Sequence, residues 1–82
     1  MPERITLDQF VKKMEDLHGD MTSGQLKHGE YDQRLARIIA ELRDRKLDAD
    51  RGKITETLDD LQMRGVVTPS VRAHLEGRLG LS

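Results

Sequence analysis

Histidines, serines, alternating aspartates and a glycine-spaced loop are the residues of this chain whose types and spacing could do chemistry. His18, His28 and His74 lie in different segments, and none stands four residues from another. No single helical turn therefore carries two imidazoles, as a zinc-binding H-E-x-x-H helix requires, and no metal site is expected. His18, near the end of a predicted helix, suits the negative end of the helix dipole, and His74 reads as a surface residue of the last helix. The run Asp48-Ala49-Asp50-Arg51-Gly52-Lys53, with Asp59 eleven residues after Asp48, has the alternating carboxylates of a calcium loop. A calcium loop needs glycine at its sixth position, where this chain has Lys53 and has moved the glycine to the fifth. Asp48 or Asp50 is better read as a helix N-cap.

Gly24-Gln25-Leu26-Lys27-His28-Gly29 has the glycine spacing of a phosphate loop. Glu30 and Tyr31, however, stand where the lysine and hydroxyl residue would hold phosphate and magnesium, and no strand precedes the loop. No nucleotide or other cofactor is expected. Ser23 and Ser70 have no recognisable base and orienting group, and a chain this short has little room to enclose a cleft around them. The expectation is a protein that is not an enzyme and has no catalytic residue.

Any functional group must then be positioned by one small domain, residues 1–82, because 82 residues leave no room for a second. Leu, Ile, Val and Phe supply 20 of the 82 residues. That exceeds the fraction of about a fifth below which chains stay disordered, but the core is thin and nearly free of aromatics. Self-association into a homo-oligomer is the corresponding expectation. The absence of cysteine excludes disulfides and thiolate metal sites, and the first residues lack the apolar run of a leader or membrane span. A cytoplasmic protein without membrane contact is expected.

The net charge of −1 gives no global field for nucleic acid or anionic lipid, yet charge is unevenly spread. Residues 1–32 hold seven acids against four bases, and residues 33–53 hold four against seven. Residues 54–63 are then purely acidic in charge, with three acids, and residues 64–82 carry three bases against one acid. Such blocks could set pairing between helices or between chains.

Periodicity and capping signals divide the chain into four helices, at about 7–18, 30–46, 50–64 and 69–79. Thr6 with Gln9 reads as a capping box and Ile5 with Phe10 as a hydrophobic staple. Leu7, Phe10, Val11, Met14 and Leu17 then form one stripe, with Gly19 as a left-handed stop. Residues 19–29 are turn-forming in composition. Glu30 and Asp32 suit the start of the second helix, and Arg43, Arg45 and Lys46 its end. Its apolar face is Tyr31, Leu35, Ile38, Ile39 and Leu42. No proline separates helices two and three, so a single kinked rod over 30–64 is an alternative. Ile54, Leu58 and Leu61 face inward on the third helix, which Gly65 ends. Thr68 and Pro69 open a last helix with Val71, Leu75 and Leu79, which Gly80 stops. The fold class is all-α, a three- or four-helix antiparallel bundle or paired hairpins, with dimerisation as one way to complete it.

The stretch Leu58-Asp59-Asp60-Leu61-Gln62-Met63-Arg64-Gly65-Val66-Val67-Thr68, followed by a short helix, resembles the short C-terminal domain (SHOCT) helical hairpins over 58–79. The segment 23–42, with Ser23-Gly24-Gln25-Leu26 leading into Glu30-Tyr31-Asp32-Gln33-Arg34-Leu35, looks like a second, less regular copy. Laying Gly24 on Gly65 puts Tyr31 on Arg72 instead of the apolar Val71. The resemblance implies oligomerisation or partner contacts and supplies no catalytic residue.

Two functions are compatible with these residues. The preferred one is a protein-interaction module, an adaptor, regulator or inhibitor presenting a helical face. Its partner would be another protein, contacted through Tyr31 and the neighbouring Arg34, Arg37 and Arg45, residue types favoured at interfaces. The alternative is a small DNA- or RNA-binding regulator using the basic segment 34–53. Against it, Arg37, Glu41 and Arg45 have the spacing of intrahelical ion pairs, and the chain lacks the overall basic footprint.

Overall fold

The computed structural model describes residues 3–81. It contains helices α1 (Leu7–Thr22), α2 (Glu30–Arg45), α3 (Arg51–Met63) and α4 (Pro69–Leu79), and two short strands, β1 (Ile5–Thr6) and β2 (Leu47–Asp48). The architecture is all-α, two helical hairpins packed together. The strands pair in parallel, Ile5 with Leu47 and Thr6 with Asp48. Each strand feeds the first helix of a hairpin, so α1 and α3 start side by side and both turns lie away from the strand pair.

Local chemistry explains where these helices begin. Thr6 Oγ1 accepts from the Gln9 amide and Gln9 Oε1 accepts from the Thr6 amide, each at 3.1 Å, which satisfies two amides the first turn cannot. Ile5 and Phe10, the staple residues, are 1% and 0% exposed. Asp50 caps α3 by accepting from the Lys53 amide at 2.8 Å, and Thr68 caps α4 by accepting from the Val71 amide at 3.2 Å, with Pro69 in the first turn.

The end of α1 corrects the expectation drawn from Gly19. The helix runs through Gly19 to Thr22, because the left-handed residue is Gly24 (φ 78°). Gln25 N donates to Asp20 O at 2.9 Å and Gly24 N to Met21 O at 3.3 Å, the paired bonds of a Schellman cap. His18 is consequently an interior residue of α1, with no terminal dipole to favour its charge, and the turn shortens to residues 23–29. The Gly65 turn of α3 closes the same way, Val66 N donating to Leu61 O at 2.9 Å. From Gly65 to the next cap, Thr68, is a shorter path than from Gly24 to Gly29, so the two hairpins do not share one turn geometry.

The rod over 30–64 is absent. Lys46 leaves α2 at φ 61°, ψ 151°, and its carbonyl accepts from Ile5 N at 2.9 Å, which turns the chain into β2. The core then takes a stripe from each helix. Phe10, Met14, Leu17, Leu58, Leu61 and Leu75 are fully buried, and Leu35, Ile38, Ile39, Leu42 and Ile54 close around them. No helix among the described residues is long and apolar enough to cross a membrane.

Candidate functional site

The charge blocks meet inside each hairpin. In the first, Arg34 of α2 donates to Asp20 of α1 at 2.5 Å and Glu41 of α2 lies 3.2 Å from Lys13 of α1. In the second, Arg72 of α4 pairs with Asp59 of α3. Arg64, at the second turn, joins Asp60 at 2.9 Å and reaches across to Glu15 of α1 at 2.8 Å. The Glu15 hydrogen bond, with Asp60 beside it, raises the Arg64 pKa further above its ordinary value. These exposed pairs are individually weak, and they leave several cations unpaired, four of which come together. Arg43, Lys46, Arg51 and Arg78 have no ion pair among the described residues.

All four line one cleft of about 430 Å³ at the open end of the hairpins. Arg43 and Lys46 come from the end of α2, Arg51 from the start of α3 and Arg78 from the end of α4. Between them lie Leu42, Leu47 and Ile54, which belong to the core, and Leu79 and Leu81, which are only half-buried. Among the described residues the lining has no carboxylate, imidazole, hydroxyl or thiol. An apolar floor under unneutralised cations can hold an anion that carries hydrocarbon.

Arg51 opens α3 beside the N-cap Asp50, whose carboxylate accepts from the Lys53 amide at 2.8 Å. One of the rim cations sits where local stability disfavours it. Lys46 occupies a backbone region reserved almost entirely for glycine, a strain of about 1–3 kcal/mol. Glycine at that position should relieve the strain at some cost in chain entropy. Lys46→Gly is expected to raise stability by about 1 kcal/mol, read as a rise of about 4–8 °C in melting temperature by calorimetry.

The residues singled out from the sequence are elsewhere. Arg34 and Arg37 line a separate cleft of about 230 Å³ between α1 and α2, with Lys13, Asp16, Ile38 and Glu41. Arg34 is held there by Asp20. Arg45 donates from Nε to the Glu3 carbonyl at 2.7 Å and lies 3.9 Å from Glu41, so it ties α2 to the N-terminal segment. Of the expected Arg37, Glu41, Arg45 ladder only the second rung forms, and Glu41 Oε2 turns to Lys13 across the helix pair. Tyr31 packs half-buried against the core and lines neither cleft. Arg43, Lys46 and Arg51 were legible as part of a basic run, but nothing local could add Arg78, which the packing of α4 on α2 brings to them.

Burial, with the charge of Asp32 adding to it, pushes the Tyr31 phenol above its ordinary 10.0. A raised folded value means that the contribution of Tyr31 to stability is complete below the unfolded pKa, near 10, and is lost as pH rises through the folded one. As the only tyrosine, it can be followed by phenolate absorbance. The midpoint is expected above 10 in the native chain and near 10 in denaturant. Among the described residues no cluster of three carboxylate or imidazole groups could hold a metal.

Comparison with protein-family models, with curated proteins and with solved structures returns no match.

Proposed function

We propose that the protein is a non-enzymatic protein-interaction module, a small adaptor, regulator or inhibitor that engages another protein through the open end of its paired hairpins. The observation that carries this reading is the cleft bounded by Arg43, Lys46, Arg51 and Arg78. Among the described residues its cations have no ion-pair partner, Leu79 and Leu81 are only half-buried, and its lining has no carboxylate, imidazole or hydroxyl. Arginine beside half-covered leucine is the composition of interface cores, where charge and hydrocarbon are buried together. The resemblance of residues 58–79 to SHOCT hairpins, which implies oligomerisation or partner contacts, is compatible with this reading.

Binding of DNA or RNA through the basic segment has less support. Arg34 and Arg45 of that segment are held by Asp20 and the Glu3 carbonyl. The two aromatic residues, Phe10 and Tyr31, lie in or against the core and give no stacking platform beside the cleft. The thin-core case for a second copy is also reduced. Only Met21 and Met63 are exposed large apolar side chains among the described residues. A mass above 9.4 kDa that grows with concentration in sedimentation would restore it.

The module is tested by placing a photocrosslinking amino acid at Ala49, beside the cleft, in the cells that make the protein. Adducts to a discrete protein support the reading. Adducts confined to nucleic acid, or their absence on repeated capture, overturn it.

A further inference from the structure

We infer that the cleft between the ends of α2 and α4 binds an acidic protein segment in which carboxylates flank large apolar side chains. This rests on the interaction-module reading and names the chemistry of its partner. Three separate stretches of chain each deliver a cation to the same rim: Arg43 and Lys46, then Arg51, then Arg78. Elsewhere Arg34, Arg64 and Arg72 find acids, across helix pairs or at a turn, and the unpaired Lys12, Lys27, Arg37 and Lys53 do not come together with the four at this cleft. A rim of four cations, with no acid in the cleft lining among the described residues, concentrates positive potential over a low-dielectric floor and selects an anionic ligand.

The floor decides which anion. Leu79 and Leu81 are half-buried, and beneath them lie Leu42, Leu47 and Ile54. Bare phosphate or a nucleic-acid backbone would leave this hydrocarbon uncovered, and no aromatic ring at the cleft could stack a base. A glutamate- or aspartate-bearing segment with leucine-like side chains satisfies both surfaces together.

Backbone cost marks the same place. Three helices of this protein end on glycine at positive φ, after residues 22, 63 and 79, whereas α2 ends on Lys46 at φ 61°. Glycine would suit the conformation better, so the ammonium is retained against a local penalty. A ligand that needs the Lys46 charge accounts for this departure.

The test uses the full chain and fluorescence anisotropy with a short synthetic peptide alternating glutamate and leucine. Controls are the same peptide with glutamine for glutamate, one with serine for leucine, a DNA duplex, and phosphatidylglycerol vesicles. The glutamate–leucine peptide is expected to bind at least about tenfold more tightly than either altered peptide. Arg51→Glu with Arg78→Glu should weaken it by about a hundredfold or more with the helical circular dichroism retained, whereas Lys27→Glu with Arg37→Glu, outside the cleft, should not. Lys46→Gly should bind several-fold more weakly although it is the more stable protein, which separates loss of the ammonium from loss of fold.

Equal binding of the glutamine or serine peptide, or an unchanged affinity in the double reversal, would overturn the inference. If either occurs while crosslinking at Ala49 still captures a discrete protein, the partner's chemistry is wrong and the interaction module stands. Tighter binding to duplex or vesicles than to the glutamate–leucine peptide, without protein adducts, removes both.

Discussion

Phe10→Ala is expected to leave the chain largely unfolded at room temperature. Phe10 is fully buried and is the only phenylalanine of the protein. Truncation of a buried phenylalanine costs about 3–5 kcal/mol, the sum of lost transfer energy and the cavity left behind. A domain of this length has about 4–12 kcal/mol of total stability at typical values per residue. The low end of that range applies here, because a small, aromatic-poor chain buries proportionally little surface. The loss also falls at a junction. Phe10 is the fourth residue of α1 and sits against Ile5, so its removal loosens the staple that aims the helix, and Ile5 in turn carries the pairing to Leu47. Urea titration followed by circular dichroism should show either no native baseline or a midpoint near zero denaturant. A midpoint within about 1 kcal/mol of the parent protein would mean that the staple and the core around α1 are far less tightly packed than the structure has them.

What could be read from the sequence was local, and its limits were physical. Helix starts were legible because a cap is a contact across three residues: Thr6 with Gln9, Asp50 with Lys53, Thr68 with Val71. The end of α1 was misplaced because Gly19 and Gly24 look alike as residue types. Which one turns left-handed depends on where the following amide can reach a free carbonyl, and only beyond Gly24 does Gln25 reach Asp20. The interior Gly19 merely costs the helix about 1 kcal/mol relative to alanine. The break at Lys46 was illegible, since lysine has no preference for positive φ. It is imposed by pairing with Ile5, 41 positions earlier in the chain. The candidate site shows the same division. A basic run over 34–53 was visible, but not which of its members are neutralised, because Asp20 and Glu3 come from the other side of a turn or from the chain start. Tertiary pairing removes Arg34 and Arg45 from the candidates, and of the five cations left in the run only Arg43, Lys46 and Arg51 share a cleft with Arg78.

The same dependence on packing makes α4 the element whose loss should separate fold from function. Its apolar periodicity is weak, and Leu75 is its single fully buried residue, flanked by the half-buried Val71 and Leu79. Leu75→Ala is expected to cost about 2–5 kcal/mol, an amount comparable with everything that holds α4 to α2. The helix has strong local signals of its own, Thr68 with Pro69 at the start and Gly80 at the end, but at 11 residues it is too short to persist in water without docking. The expected result is therefore local. Amide hydrogen exchange over 69–81 should accelerate by orders of magnitude, while α1 and α2 keep most of their protection through Phe10, Met14, Leu35 and Ile38. Because Arg78, Leu79 and Leu81 travel with α4, binding of the glutamate–leucine peptide should fall together with α4 protection, before global unfolding. Uniform loss of protection across all four helices would instead mean that the hairpins fold as one cooperative unit, with the cleft no more labile than the core beneath it.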